Sequence, residues 1–226
     1  MPMAAHVLPP PLREGDHLTS DEFMLRWEAM PDLRHAELID GIVHMPSPVS
    51  KQHSNLHSPL NAWLTLYAAG TPGCLAGLEA TWMMGETNVP QPDITLELLP
   101  EYSGQSKMEG NYAAGDPELV VEGAMSSRNR DLDAKLKLYE RMGVREYLIV
   151  DANHHQFHWK VCINGQFQPL EAGADGIFRS RYFPGLWLDA DALWRMDLPK
   201  LFAVVQQGLA TPGHATFVSR LAERLR

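Results

Sequence analysis

Cysteine is nearly missing from this chain of 226 residues, which has two, Cys74 and Cys162. Two thiols cannot build a disulfide framework or a zinc ribbon, so an apolar core must hold the fold together and a reducing cytoplasm is the expected compartment. Long apolar runs are missing too. No stretch approaches the ~20 consecutive apolar residues of a membrane span, so no membrane partner is expected. The proline-rich opening, "MPMAAHVLPPPLREGD", lacks the basic start and apolar run of a secretion signal. It reads as an irregular arm over residues 1–18. Positive charge is scarce, with 19 Lys and Arg against 28 Asp and Glu and a net charge of -9. Nonspecific affinity for nucleic acid comes from Lys and Arg neutralising phosphates, so any nucleic-acid role must use a local patch. Neither a serine nucleophile elbow nor a phosphate-binding glycine loop occurs, and those enzyme classes recede.

What is present is the composition of a globular protein, 45% hydrophobic and 21% charged. Residues 19–226 read as one domain. "TSDEFMLRWEAM" opens with Thr19 three residues before Glu22, a capping box, and continues at helical spacing. Asp40-Gly41 and Asn164-Gly165 each sit between short apolar runs and predict tight hairpins. Leu56, Leu60, Leu64 and Tyr67 predict a helix over about Ser54 to Ala69, with Pro59 in its first turns, where proline is tolerated. "PDITLELL" reads as a strand and "PEYSGQSKMEGNYAAGDP" as a surface loop. The segment from Pro117 to Asp151 then predicts a buried strand, a helix and a second buried strand, long enough for a right-handed crossover. Short strand and helix signals follow from Arg179 to Ala210, and "HATFVSRLAERLR" closes with a helix.

Three residues in these elements break the pattern of their surroundings. On a helical wheel Lys135 shares a face with Leu132, Leu136, Leu138, Tyr139 and Met142, whereas Lys137, Asp133 and Glu140 lie opposite. A lysine in a core-facing stripe either snorkels to water or serves a site. Removing it is expected to leave folding unharmed or improved, as functional residues often cost stability. Glu122 ends the apolar run "ELVVE", where open α/β sheets place ligands, although a strand end can also simply reach water. Asp93 follows Pro92 at a strand start, as a turn residue or as a second strand-end carboxylate. Together, two carboxylates and a lysine from the next helix are the equipment for a divalent-metal site acting on phosphodiesters. Residues 128–145 also carry a local excess of Lys and Arg, a pattern shared with ordinary solvated helix faces. His53 and His57 have a zinc-compatible spacing but lack further ligands at such spacing. His154, His155 and His158 fall in the second hairpin.

"ELIDG", "SPVSKQH", "QPDI", "ELVVE" followed by Ser126 and Ser127, "DLDAKLKLY" and "GVREYLIVD" occur in this order from about Thr19 to Asp151, with "FPGLWLD" beyond. This series resembles the Uma-two family of endonucleases in the PD-(D/E)XK nuclease superfamily. The resemblance implies an α/β, restriction-endonuclease-like core, a central mixed sheet flanked by helices, with β-hairpin additions and C-terminal helices. It implies Asp93 and Glu122 as metal-binding catalytic carboxylates, Glu37 as a supporting metal ligand and Lys135 as the catalytic lysine. The superfamily lysine usually lies two residues after the second carboxylate, where this chain has Ala124. In the Uma-two pattern it stands on the following helix, as Lys135 does.

The expected function is hydrolysis of DNA phosphodiester bonds with Mg2+, or Mn2+ in its place, by a chain that two-fold symmetry could pair as a homodimer for cutting both strands. Two rivals stand beside it: a nuclease-like fold without catalysis, serving as a binding or regulatory module, and a hydrolase of small phosphorylated molecules.

Overall fold

Short apolar runs separated by turn residues give strands too short to stand alone, and the chain joins six of them into a principal sheet. The computed structural model describes residues 8–45, 51–124 and 130–225, without the side chains of 52, 53 and 130–132. Ser126, Ser127 and Arg128, and the side chains of His53, Arg130, Asp131 and Leu132, therefore lie outside the described residues.

The first elements are α1 (Ser20–Glu28), β1 (Glu37–Ile39) and β2 (Ile42–His44). Thr19 caps α1 as its motif predicts, its hydroxyl accepting the Glu22 N–H at 3.3 Å. Thr19→Ala should lower stability by about 1 kcal/mol, measurable as a drop of a few degrees in thermal midpoint. β1 and β2 form the expected hairpin, with Asp40 (φ 50°) and Gly41 (φ 78°) as its two turn residues. Residues 8–18 run along this hairpin: the Leu18 N–H donates to the Gly41 carbonyl, and Leu12 is buried.

The main body follows with α2 (Lys51–Ala69), β3 (Cys74–Leu78), β4 (Trp82–Met83), β5 (Ile94–Leu98), β6 (Lys107–Glu109), β7 (Tyr112–Ala114) and β8 (Leu119–Ala124). A π-helical turn (Arg130–Lys135) leads into α3 (Leu136–Met142), then β9 (Glu146–Asp151), β10 (Gln156–Ile163) and β11 (Gln166–Pro169). Last come β12 (Ile177–Arg179), β13 (Trp187–Asp189), α4 (Ala190–Trp194), α5 (Leu198–Leu209) and α6 (Pro212–Glu223). The principal sheet has the order β11-β10-β9-β8-β5-β3, with β8 and β9 parallel and the other pairs antiparallel. Residues of β8 alternate between two cores. Leu119 and Val121 pack with Trp63 and Tyr67 of α2 and with the C-terminal helices, whereas Val120 and Ala124 pack with Leu138 and Tyr139 of α3. Both faces of β8 are thus dry, as expected of a covered central strand.

Two expectations change. α2 begins at Lys51 rather than Ser54, which places Pro59 in the helix interior, where it has no N–H to donate. The stretch expected as a surface loop contains a 3-10 turn (Pro100–Tyr102) and the β6–β7 hairpin around Gly110-Asn111. Its strands are weakly apolar by themselves; β7 is anchored by parallel pairing with β4, a contact distant in sequence.

At the starts of the central strands β8 and β9 the chain buries carboxylates that the sequence did not single out. Glu118 accepts the Leu98 and Gln105 N–H groups, and Glu146 accepts the Arg181 and Tyr182 N–H groups and the Trp159 indole. Desolvation pushes the nearby Asp116 carboxyl up to about 6, against a smaller pull from Arg145. A carboxyl whose folded pKa is raised binds its proton more tightly in the native state, so stability falls as pH climbs from about 4 to about 6. Asp116→Asn should remove this slope, gaining on the wild type above pH ~6 by on the order of 1 kcal/mol, since the group is only partly shielded from water. Thermal midpoints of both proteins from pH 4 to 7 provide the check.

Candidate active site

Period two along β8 decides where Glu122 points. Lying between Val120 and Ala124, it faces α3 rather than α2, and it is only 3% exposed. Its Oε1 accepts hydrogen bonds from Lys135 Nζ at 2.7 Å and from the Tyr139 hydroxyl at 3.0 Å. Lys135 closes the π-helical turn, a local distortion of the helix that recurs at functional sites. The wheel argument holds for its surroundings: Lys135, Leu138 and Tyr139 are buried, and Asp133 and Lys137 are exposed. Lys135 Nζ also lies 3.0 Å from Glu37 Oε1, and Glu37 is 4% exposed. That same Glu37 oxygen accepts the Gln91 N–H at 2.8 Å, which ties β1 to the segment that leads into β5. Lys135 does not snorkel. It bridges two buried carboxylates from two different sheets.

Asp93 joins from the neighbouring strand. The pairing Ile94↔Val121 sets it opposite Glu122, and its Oδ2 accepts the Gly123 N–H at 2.7 Å. The same oxygen lies 3.0 Å from His57 Nε2 of α2. The four sequence-derived residues therefore gather at one end of the sheet: Lys135 contacts Glu37 and Glu122 directly, and Asp93 is tied to Glu122 through the next residue of β8. Ala124, at the position of the superfamily lysine, is fully buried against α3. A lysine there would meet apolar packing, and the helix that follows supplies the ammonium instead.

Glu37 and Glu122 share the Lys135 ammonium, and Asp93 stands beside Glu122 with the His57 imidazole as its neighbour, so carboxylate oxygens outnumber the ammonium in this cluster. No group of three or more His, Cys, Asp or Glu arranged to hold a metal occurs among the described residues. Two carboxylates are nonetheless a common complement for Mg2+, which keeps several waters and takes other ligands from substrate phosphates. Asp93 and Glu122 fit that donor set in number and chemistry.

Sequence reasoning misses three contributors. His57 stands out in the sequence only as a zinc-spaced neighbour of His53, yet it supports Asp93. Tyr139 reads as an apolar core residue, although its hydroxyl reaches Glu122; the signal is a tyrosine one turn after Lys135 on the same face. Gln91, inside "QPDI", acts through its backbone, which no side-chain motif reveals. Of the three histidines expected in the second hairpin, only His158 lies on one of its strands, β10; His154 and His155 sit in the turn that joins β9 to β10, where the His154 ring lies 2.9 Å from the buried Asp151 and His155 stacks on Trp194.

No curated protein matches this chain. A crystal structure described as "a putative nuclease belonging to DUF820 from Anabaena variabilis ATCC 29413" superposes with a TM-score of 0.62 at 15% identity, covering 79% of this chain and 98% of that one. At that identity the likeness establishes the fold alone, a mixed sheet flanked by helices. The model of the Uma2 family, described as "Putative restriction endonuclease", matches residues 20–191, a span that contains Glu37, His57, Asp93, Glu122 and Lys135. The chain thus belongs to the Uma2 family, whose class of function is that of a nuclease.

Proposed function

We propose that this protein is a metal-dependent endonuclease that hydrolyses DNA phosphodiester bonds at the cluster of Asp93, Glu122 and Lys135. The observation that carries this reading is the buried Lys135 ammonium, delivered from a helix to within 2.7 Å of Glu122 and 3.0 Å of Glu37, next to Asp93. Asp93 and Glu122 would hold Mg2+, or Mn2+ in its place, with Glu37 supporting directly or through water. When bound, such an ion polarises the phosphate and makes bound water a better nucleophile. Lys135, held in direction by Glu37 and Glu122, orients the attacking water or balances charge on the phosphate oxygens. His57 and the Gly123 N–H fix the Asp93 carboxylate. Pairing of two copies about a two-fold axis would suit cutting of both strands, in a reducing cytoplasm where Cys74 and Cys162 stay free thiols.

A second reading, a binding or regulatory module without catalysis, is favoured by the same ion triad: the ammonium already engages two of the carboxylates a metal would use. Incubation with single-stranded, duplex and branched DNA, with and without Mg2+ or Mn2+, separates the two. Metal-dependent cleavage that disappears in Glu122→Gln is expected. Absence of cleavage on every substrate with either metal would overturn the nuclease reading.

A further inference from the structure

On the α2 side of Asp93 lies a half-open hollow of about 290 Å³, lined by Ser54, His57, Ser58, Asn61, Leu78 and Glu79. The first four sit at positions i, i+3, i+4 and i+7 of α2 and so share one face of the helix. Leu78 ends β3 with half of its surface exposed. Glu79 follows with φ 52°, a left-handed conformation that a residue with a long side chain seldom adopts and that clusters at functional sites. Both of its peptide groups are tied to the site. Its N–H donates to the Asp93 carbonyl at 3.0 Å, and its carbonyl accepts from Gln91 Nε2 at 3.1 Å. The wall between the hollow and Asp93 is His57 itself.

The lining selects its ligand by chemistry. Among the described residues that line the hollow there is no lysine or arginine, the His57 imidazole is engaged with Asp93, and Glu79 brings a negative charge, so the lining disfavours a phosphate. Hydroxyls, an amide and an acceptor-only carboxylate around one apolar side chain suit a flat, neutral group that carries hydrogen-bond donors at its edge and offers an apolar face. We propose that this hollow is a nucleobase subsite, seating the base of a nucleotide beside the scissile phosphate and preferring a base with an exocyclic amino group, which Glu79 accepts. The placement beside the scissile phosphate rests on the nuclease reading above, in which the phosphate lies against Asp93 and Glu122. Carboxylates pair in the same way with the cytosine amino group in groove readout, and enzymes that take a base out of the stack read its pairing edge in such a pocket. Asn61 supplies a donor and an acceptor for the rest of that edge, and Leu78 packs against the ring.

The test measures binding, so it stands apart from cleavage. Fluorescein-labelled ten-nucleotide single strands of dC, of dT and of abasic deoxyribose phosphate are titrated in low salt against the wild type, Glu79→Gln, Asn61→Ala and Glu122→Gln. The wild type should bind the dC strand about tenfold more tightly than the dT strand, the two differing at the ring position that bears an amino or an oxo group. The abasic strand should bind weakest. Glu79→Gln should lose the preference, because its amide can donate to the thymine oxygen, and Asn61→Ala should weaken both base-bearing strands. Glu122→Gln, deficient in cleavage, should keep the cytosine preference. Equal binding of all three strands by the wild type, or an undiminished preference in Glu79→Gln, overturns the subsite. Loss of cleavage alone bears on the nuclease reading and leaves this result standing.

Discussion

Lys135→Ala should abolish metal-dependent cleavage and lower the thermal midpoint by about 10 °C, while Lys137→Ala, two residues away, should change neither. The stability effect reverses the expectation that a lysine among leucines is a burden on folding. Lys135 is 4% exposed and its ammonium bridges Glu37 and Glu122, both also buried. Removing it leaves two carboxylates out of water and close to each other without a counterion. Breaking a buried ion pair in this way costs about 3–5 kcal/mol, and a chain of this size loses roughly 2–4 °C per kcal/mol. Lys137 is solvated and presents its charge to water, where single charges contribute little. Paired measurements of cleavage and thermal midpoint on both variants decide the matter. An unaltered midpoint in Lys135→Ala would show that the triad is worth no more than a surface pair; retained cleavage would remove Lys135 from the chemistry.

Asp93→Asn and Glu122→Gln should each weaken Mg2+ binding at least about tenfold and reduce cleavage about a thousandfold, with little loss of fold. Both replacements keep an oxygen where the structure uses one. The new amide oxygen at position 93 can still accept the Gly123 N–H, and the one at position 122 can still accept from Lys135 and the Tyr139 hydroxyl. What disappears is formal charge on the hard oxygen donors that Mg2+ prefers. Calorimetric titration of Mg2+ into the wild type and both variants measures the first effect, and single-turnover cleavage the second. Equal affinity in all three proteins would place any metal elsewhere. In neither variant is the ammonium left without a carboxylate, because Glu37 remains 3.0 Å from Lys135. Stability should therefore separate these variants from Lys135→Ala even if all three are inactive.

Local signals are strong where one peptide segment settles its own conformation. The Thr19 cap and the turns at Asp40-Gly41 and Asn164-Gly165 are governed by hydrogen bonds or backbone angles within a few residues, and the strand, helix and strand unit around Glu122 shows in its apolar runs and helical spacing. Side-chain periodicity goes further and places Lys135 on the buried face of its helix; Glu122, which closes the apolar run, lies inside a covered strand that continues to Ala124. The β6–β7 hairpin is not legible, since its strands are held by pairing with β4 rather than by their own apolar content. The start of α2 is missed because Pro59 locally argues for a late start, whereas the helix runs through it, with Leu56, Leu60 and Trp63 in the core.

Residue types and their spacing mark the unusual residues of this protein without any knowledge of its fold: an acid closing an apolar run, another before a second strand, and a lysine in an apolar stripe. Their meeting, the closure of the β1 hairpin over them through Glu37 and Gln91, and the entry of His57 from the opposite layer come from packing between distant elements. The physical reason is that periodicity fixes the direction of a side chain relative to its own element, whereas the distance between side chains of elements far apart in the chain depends on strand order, register and layer packing, none of which any single segment encodes.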